Sequence, residues 1–243
     1  MSEPKKLKGP RALIRRLRAG QRLSSFFYGG LDRRPELKEA VKAELERPFP
    51  IYRNPLTTNL FACLGGISLV LFIILIGSGL LMLMYYTPST QEAFHSIVLL
   101  TNEVPFGWLI RGVHYWAANL LIVAVMAHMV RIFFAGAYRP PRDINWVTGV
   151  VLMALVVCLS FSGYLLPWNQ QAYWATTVGT DHLSAIPIVG DMLMYLLRAG
   201  MRVNQLTLTR FFAFHVAILP AVTILLLGLH FLLVRRHGMA EPL

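Results

Sequence analysis

Four long apolar runs constrain this chain more than any other feature of its sequence. They lie at about residues 59–86, 112–136, 146–167 and 209–234. Each is long enough to cross a bilayer, for which about 20 residues are needed. Hydrophobic residues make up 56% of the 243 residues, and charged residues only 14%. Because a segment inside a bilayer must satisfy its own backbone polar groups, we expect an all-α integral membrane protein built as a four-helix bundle.

The basic residues are unevenly distributed, and their distribution predicts the topology. The net charge is +11, and 19 of the 23 Lys and Arg residues fall on one side of the four runs. The positive-inside rule therefore places both termini on the cytoplasmic side or its equivalent. This excess charge suits contact with anionic lipid, and nucleic acid is not expected as a partner.

The chain is expected to have two parts, residues 1–50 and 51–243. The first part is basic and lacks the apolar core of a cleavable signal. We expect a basic arm there, followed by amphipathic helices on the inner membrane surface. In the second part, residues 88–110 form a short outer connection and residues 168–208 a long one. The apolar residues of the long connection predict helices along the outer surface.

Two of the apolar runs each contain a pair of histidines. His114 and His128 are 14 residues apart, and His215 and His230 are 15 apart. On an α-helix these spacings return each pair to about the same face, with a rise of about 21–22 Å. Both runs cross the membrane in the same direction, so each is expected to have one outer and one inner histidine. Ionisable side chains at this depth are costly and usually functional.

Three interpretations of these histidines compete. Each can simply be hydrogen-bonded to a neighbouring helix, as in a four-helix transporter or channel. A zinc site normally needs four ligands, often with thiolates or carboxylates among them, and two imidazoles leave it incomplete. Two facing imidazoles complete a six-coordinate haem iron and leave no open position for oxygen. We therefore favour two bis-histidine haems, an outer one at His114 and His215 and an inner one at His128 and His230.

Glycines and arginines extend this interpretation. Four glycines of the first and third runs repeat the histidine period, in pairs 14 residues apart: Gly65 with Gly79, and Gly149 with Gly163. Small residues in membrane helices often only permit close helix contact, but the matched period favours flat haem faces against bare backbone. Haem propionates need cationic partners near each surface. The candidates are Arg111 on the outer side and Arg235 or Arg236 on the inner side.

Six stretches of the second part carry a resemblance to a known family. They are NLFACLGGISL (59–69), FGWLIRGVHYW (106–116), INWVTGVVL (144–152), GYLLPWNQQAYWA (163–175), AIPIVG (185–190) and LTLTRFFAFH (206–215). These stretches resemble cytochrome b6, the short, split form of cytochrome b in quinol-oxidising complexes. The resemblance covers about residues 50–243 and implies two b haems, one held by His114 and His215 and one by His128 and His230.

The resemblance also implies a third haem and a quinol pocket. Cys63 matches the cysteine that holds an extra c-type haem through one thioether bond in b6-type proteins. Taken alone, a single cysteine in a membrane helix is usually inert packing. The segment after the third run matches part of the family's quinol-oxidising pocket, although Trp and Tyr also collect at membrane interfaces. The candidate pocket residues are Trp168, Tyr173, Trp174 and Ile186.

The function implied by the resemblance is electron transfer in a complex of the b6f or bc type. Quinol is oxidised on the outer side, and electrons cross through two haems to quinone on the inner side, coupled to proton translocation. The part of cytochrome b with the glutamate-containing loop of the quinol site is absent from the chain. We therefore do not expect quinol:cytochrome c or plastocyanin-type oxidoreductase activity from this chain alone.

The expected partners follow from the same resemblance. They are a three-span C-terminal-type cytochrome b subunit similar to subunit IV, a Rieske iron–sulfur protein and a membrane-anchored c-type cytochrome, in a homodimeric complex. A bacterial inner membrane is the first expectation, with the thylakoid as the alternative. The competing function is a di-haem b membrane anchor that links quinone to a peripheral dehydrogenase or reductase. Such an anchor would lack the covalent haem at Cys63.

Overall fold

The computed structural model describes residues 63–238 together with Glu39, Lys42, Ala43 and Glu46. The chain divides into two units, residues 1–49 and 50–243. In the first unit, the four described residues are helical and exposed, and Lys42 Nζ lies 3.9 Å from the Glu46 carboxylate. The rest of the predicted basic arm and its surface helices, and the start of the first apolar run, lie outside the described residues.

Helices account for most of the described second unit. In chain order they are α1 (Leu64–Leu83), α2 (Ala93–Asn102), α3 (Gly107–Phe134), α4 (Asp143–Leu165), α5 (Gln170–Ser184), α6 (Gly190–Arg198), α7 (Gln205–Ala213) and α8 (Leu219–His237). A π turn at Phe214–Ile218 joins α7 to α8. Between residues 63 and 238 there is no strand. The all-helical prediction is therefore confirmed for the described chain.

Within residues 63–238, four helices are long and apolar enough to cross a membrane. They are α1, α3, α4 and the continuous helix from Gln205 to His237. Most of their side chains remain accessible within the isolated chain, as expected for helices that face lipid or neighbouring subunits. The predicted four-span architecture is confirmed, and the chain is an integral membrane protein.

The region between the first two spans differs from the prediction of a plain connection. It contains α2, which buries Ala93, Ser96, Ile97 and Leu100 on one helical face. The ten residues of α2 are too few to cross a bilayer. The length of an apolar run therefore does not reveal this helix. The span α3 begins at Gly107, earlier than predicted, because the chain turns sharply here. A Cβ on Gly107 would lie 1.8 Å from the Leu100 carbonyl oxygen, so only glycine fits.

The π turn in the fourth span includes His215 and precedes Pro220. Proline has no N–H to donate four residues back, and the wider turn closes instead through a hydrogen bond from the Leu219 N–H to the Phe214 carbonyl. A π turn contains one residue more than an α turn. The 15-residue spacing of the histidines in this span therefore corresponds to 14 residues on a regular helix. Both histidine pairs thus share one geometry.

The long connection after α4 folds onto the ends of the spans. The predicted helices within residues 168–208 are present as α5, α6 and the start of α7. They share an apolar cluster with α2 and α4, whose buried members are Ala93, Leu165, Val203, Leu208 and Phe211. Tyr86 packs against this cluster, and its hydroxyl donates to the Leu166 carbonyl at 2.7 Å. This cluster joins the connection to the histidine-bearing spans.

Candidate functional site

Each of the four intramembrane histidines lies against one of the four glycines with the matching period. A Cβ built on the glycine would contact the Cε1 atom of the imidazole at 3.2 Å for Gly65 with His128, 3.3 Å for Gly79 with His114, 3.6 Å for Gly149 with His230 and 2.5 Å for Gly163 with His215. Helix α1 therefore faces α3, and α4 faces α8, at two levels. The absence of a glycine side chain leaves room for the imidazole at every one of these contacts.

At one level, His114 and His215 face each other across the bundle. Their ring centres are 6.3 Å apart, with the ring planes at 72°. A metal–nitrogen bond of about 2.0–2.1 Å to each imidazole places two opposed ring centres roughly 6 Å apart. One metal atom therefore fits between these two rings. The part of the chain that the structure describes contains no group of three or more His, Cys, Asp or Glu residues that could hold a metal ion.

At the other level, His128 and His230 line one cavity of about 260 Å³ together with Gly65 and Gly149. Apolar side chains of α1, α3, α4 and α8 form most of its wall. The cavity therefore has the donor set and the apolar setting that a large flat cofactor requires. The residues present fit a bis-histidine haem at this level as well.

Hydroxyl side chains contact three of the four imidazoles at Nδ1. The distances are 2.9 Å for Ser78 with His114, 3.0 Å for Thr148 with His230 and 3.2 Å for Ser162 with His215. Each hydroxyl comes from the residue directly before one of the four glycines. Sequence reasoning missed these contacts, although the adjacency of hydroxyl and glycine was a signal that could have revealed them.

The proton of each hydroxyl is already committed to a helix carbonyl. The Ser78, Thr148 and Ser162 hydroxyls donate to the carbonyls of Ile74 at 2.7 Å, Asn145 at 2.9 Å and Leu159 at 3.0 Å. Because a hydroxyl has one proton, it must accept a hydrogen bond at the imidazole. The proton of these neutral imidazoles therefore lies on Nδ1, and the lone pair of Nε2 is available to a metal.

Similarity to known proteins agrees with this geometry. The family model described as cytochrome b/b6/petB matches residues 51–238.

The chain belongs to the cytochrome b family.

Relatives within the family include cytochrome b6 of Synechococcus sp. (strain JA-3-3Ab), 41% identical over 89% of this chain and 98% of the relative. Cytochrome b6 of Heliomicrobium gestii is 39% identical over 87% of this chain and 98% of the relative. Among solved structures, a chain of a hyperthermophilic respiratory Complex III superposes with a TM-score of 0.73 at 31% sequence identity. That match covers 88% of this chain and 56% of the other.

The predicted cationic residues of this cytochrome b lie in different settings. Arg111 donates to the Thr101 hydroxyl at 3.1 Å. Arg235 lies in the last turn of α8 but is not among the residues that line the cavity of His128 and His230, whereas Arg131 and Arg142 are. Arg131 is only 8% exposed. Sequence reasoning missed both cavity arginines, although Arg131 follows His128 by about one helical turn.

The candidate residues for a third haem and a quinol pocket lie at opposite ends of the spans. Cys63 is exposed and directly precedes α1, two residues before the glycine that contacts His128. Trp168, Tyr173 and Trp174 form one aromatic group, with successive ring centres 6.0 and 5.4 Å apart. Ile186 follows the end of α5 and is 42% exposed. The structure thus brings the three aromatic candidates together.

A buried arginine stabilises the long connection of this cytochrome b. The guanidinium of Arg198 is nearly inaccessible and donates to the Thr180 hydroxyl at 2.6 Å, to the Thr177 carbonyl and to the Met201 carbonyl at 3.2 Å. It also lies 2.8 Å from the Asp181 carboxylate. These contacts join α5, α6 and the turn before α7, and thereby fix the segment that carries the aromatic candidates.

We predict that Arg198→Ala destabilises this connection by about 1–3 kcal/mol, because buried acceptors lose their donor. The expected results are a lower melting temperature in detergent and faster proteolysis within residues 168–208. Arg198→Lys should recover only part of the loss, since an ammonium cannot reproduce the planar fork of donors. Arg202→Ala serves as the control because Arg202 is exposed. Equal melting temperatures and equal proteolysis rates of the Arg198→Ala and Arg202→Ala variants would contradict the structural role of Arg198.

Proposed function

We propose that this chain is the di-haem electron-transfer subunit of a quinol-oxidising complex of the b6f or bc type. One observation carries the proposal: two levels, each with two inward-facing histidines and a glycine against each imidazole. His114 with His215 would hold one b haem on the outer side, and His128 with His230 would hold the other on the inner side. Two b haems bound there would supply reversible one-electron chemistry.

The protein's own contribution is to fix the ligands in an apolar setting. Hydroxyl contacts at Nδ1 hold the orientation and the tautomer of three imidazoles, and such outer contacts tune a ligand's basicity. Because the four glycines have no side chain, the imidazoles can lie close to the helix backbone. At the inner level Arg131 and Arg142 bring positive charge to the cavity, where it would stabilise haem propionates. Arg111 is the corresponding outer candidate, and Arg235 remains a candidate at the inner end of α8.

The direction of electron transfer follows from the two levels and from the predicted topology. With both termini inside, the outer histidines would lie on the side of quinol oxidation, and electrons would move inward to quinone. Moving a charge against the membrane potential costs about 2.3 kcal/mol per 100 mV. The inner haem must therefore be the more readily reduced of the two. Proton release outside and uptake inside would couple this transfer to proton translocation.

The quinol site itself is only partly formed by this chain. Trp168, Tyr173, Trp174 and Ile186 are the proposed contributions to one wall of the pocket. The remainder is assigned to a three-span cytochrome b subunit, with a Rieske iron–sulfur protein and a membrane-anchored c-type cytochrome as electron acceptors in a dimeric complex. The similarity of the fold to a chain of a respiratory Complex III supports this assignment.

Purification of the tagged chain from its native membrane tests this proposal. We expect co-purification of the three partner subunits and quinol:cytochrome c reductase activity in the intact complex. The chain expressed alone should bind haem but show no such activity. Co-purification with a peripheral dehydrogenase in place of these subunits would favour a membrane anchor. Quinol oxidation by the single chain would contradict the shared site.

A covalent haem at Cys63 distinguishes the b6-type subunit from an anchor. The motivation is that Cys63 is exposed and directly precedes the first residue of α1, beside the inner level of histidines. Haem-dependent peroxidase staining is expected to follow the polypeptide through a denaturing gel after acid–acetone extraction. Cys63→Ser should abolish the stain and retain both b haems. Cys158→Ser, which alters the other exposed cysteine, should retain the stain. An unstained wild-type band would rule the covalent haem out.

A further inference from the structure

The hydroxyl contacts to the histidines are unequal at the two levels. At the outer level both His114 and His215 have a serine hydroxyl at Nδ1, and the Nδ1 atom of His215 also lies 3.0 Å from the Leu159 carbonyl oxygen. At the inner level His230 has Thr148. The Nδ1 atom of His128, by contrast, is buried and has no hydrogen-bond partner among the described residues. Three imidazoles therefore have an acceptor for the Nδ1 proton, and the fourth has none.

The sequence shows where the missing acceptor would stand. Ser78 precedes Gly79, the glycine that contacts His114, and Leu64 precedes Gly65, the glycine that contacts His128. Since 14 residues return nearly to the same face of an α-helix, Leu64 occupies the position toward the inner level that Ser78 occupies toward the outer level. Leu64 is buried at 9% exposure. An apolar side chain thus stands where the other three sites have a hydroxyl.

This difference changes how strongly each imidazole donates electrons to a metal. A hydrogen bond from Nδ1–H to an acceptor raises the basicity of the imidazole. A more basic axial ligand stabilises the oxidised iron and lowers the reduction potential, one of the means by which a protein adjusts a haem. In an apolar interior such hydrogen bonds are stronger than in water. The level with two hydroxyl contacts is therefore harder to reduce than the level with one.

We infer that Ser78 and Ser162 at the outer level, set against Leu64 at the inner level, establish the potential difference that directs electrons inward. These are positioning residues, because they act on the haems through the histidines. The inference rests on the proposed function, since it requires haem iron at both levels. Arg131 and Arg142 line the inner cavity, and their positive charge acts in the same direction. The test must therefore change the hydroxyls alone.

The test is redox potentiometry of the purified holo-complex, followed by the absorption of each b haem. Leu64→Ser supplies the missing acceptor and is expected to lower the inner potential while the outer one stays unchanged. Ser78→Ala removes an acceptor and is expected to raise the outer potential alone. Each equilibrium constant for reduction should change about three- to tenfold, or roughly 30–60 mV for a one-electron couple. Thr148→Ala should raise the inner potential by a similar factor.

Leu64→Ala is the matched control, because it removes the same bulk without adding an acceptor. The inference is overturned by equal inner potentials in Leu64→Ser and Leu64→Ala, or by an unchanged outer potential in Ser78→Ala. If the Leu64 variants lose the inner haem, the inference is tested by the inner potential of Thr148→Ala and the outer potential of Ser78→Ala. A wild-type protein without two b haems would instead refute the proposed function. The two failures are thus distinguishable.

Discussion

His128→Ala is expected to remove the inner b haem and to leave the outer one in place. The variant retains one imidazole, that of His230, at the inner level, and a single axial ligand leaves the iron site open. The outer pair lies 14 residues away along the helix, a rise of about 21 Å, and makes its own contacts with Ser78 and Ser162. The reduced-minus-oxidised spectrum should therefore retain about half of its b-type absorption.

Two further variants make this result specific. His230→Ala should give the same spectrum as His128→Ala, because both histidines line one cavity. The control is His182→Ala, since His182 is an exposed histidine on α5 and should not alter either haem. Loss of both haems from an assembled His128→Ala protein would contradict the claim that the two histidine pairs bind their haems independently. Retention of both would exclude His128 as a ligand.

Gly163→Ala is expected to cause the largest loss among alanine substitutions at the four glycines. A Cβ at this position would lie 2.5 Å from Cε1 of His215, closer than such atoms approach in proteins. His215 cannot move freely, because its Nδ1 contacts both the Ser162 hydroxyl and the Leu159 carbonyl. Overpacking of this kind costs about 1–3 kcal/mol, and here it acts on an axial ligand. The expected result is a weakened or absent outer haem.

The other glycines give a graded series and a control. Gly149→Ala should have the smallest effect of the four, because its Cβ would meet His230 at 3.6 Å, an ordinary contact distance. Gly77→Ala is the matched control on α1, where a Cβ meets nothing within 4 Å. The haem content per chain, measured after purification, ranks the alanine variants of the four glycines. Full outer haem content in Gly163→Ala would show that the glycine is not needed for the placement of His215.

The spans and the histidine pairs could be read from the sequence because each depends on a local, periodic pattern. Run length alone predicts a membrane helix, and helical geometry alone places residues 14 apart on one face. The start of α3 at Gly107 and the helix α2 were not predicted. The start of α3 involves the close approach of Gly107 to the Leu100 carbonyl, a contact that no local pattern reveals. The π turn at His215, which precedes Pro220, was likewise not predicted.

The surroundings of the histidines were less accessible to sequence reasoning. Ser78, Thr148 and Ser162 look like ordinary polar residues in apolar helices, and only the contacts between helices show that they hold the imidazoles. The cavity at His128 and His230 is lined by Arg131 and Arg142, whereas topology alone indicates the arginines at the end of the last span. Topology predicts on which side of the membrane basic residues gather, but not which helix supplies the arginines of a cavity.

Haem stoichiometry and coordination, measured together on the purified wild-type complex, test the central claim most directly. Extractable b haem is counted per copy of this chain, and electron paramagnetic resonance of the oxidised protein reports the axial ligands. We expect two extractable b haems per chain, both low-spin with two imidazole ligands. One extractable b haem or none per chain, or the absence of low-spin iron with two imidazole ligands, would contradict the two-level bis-histidine account.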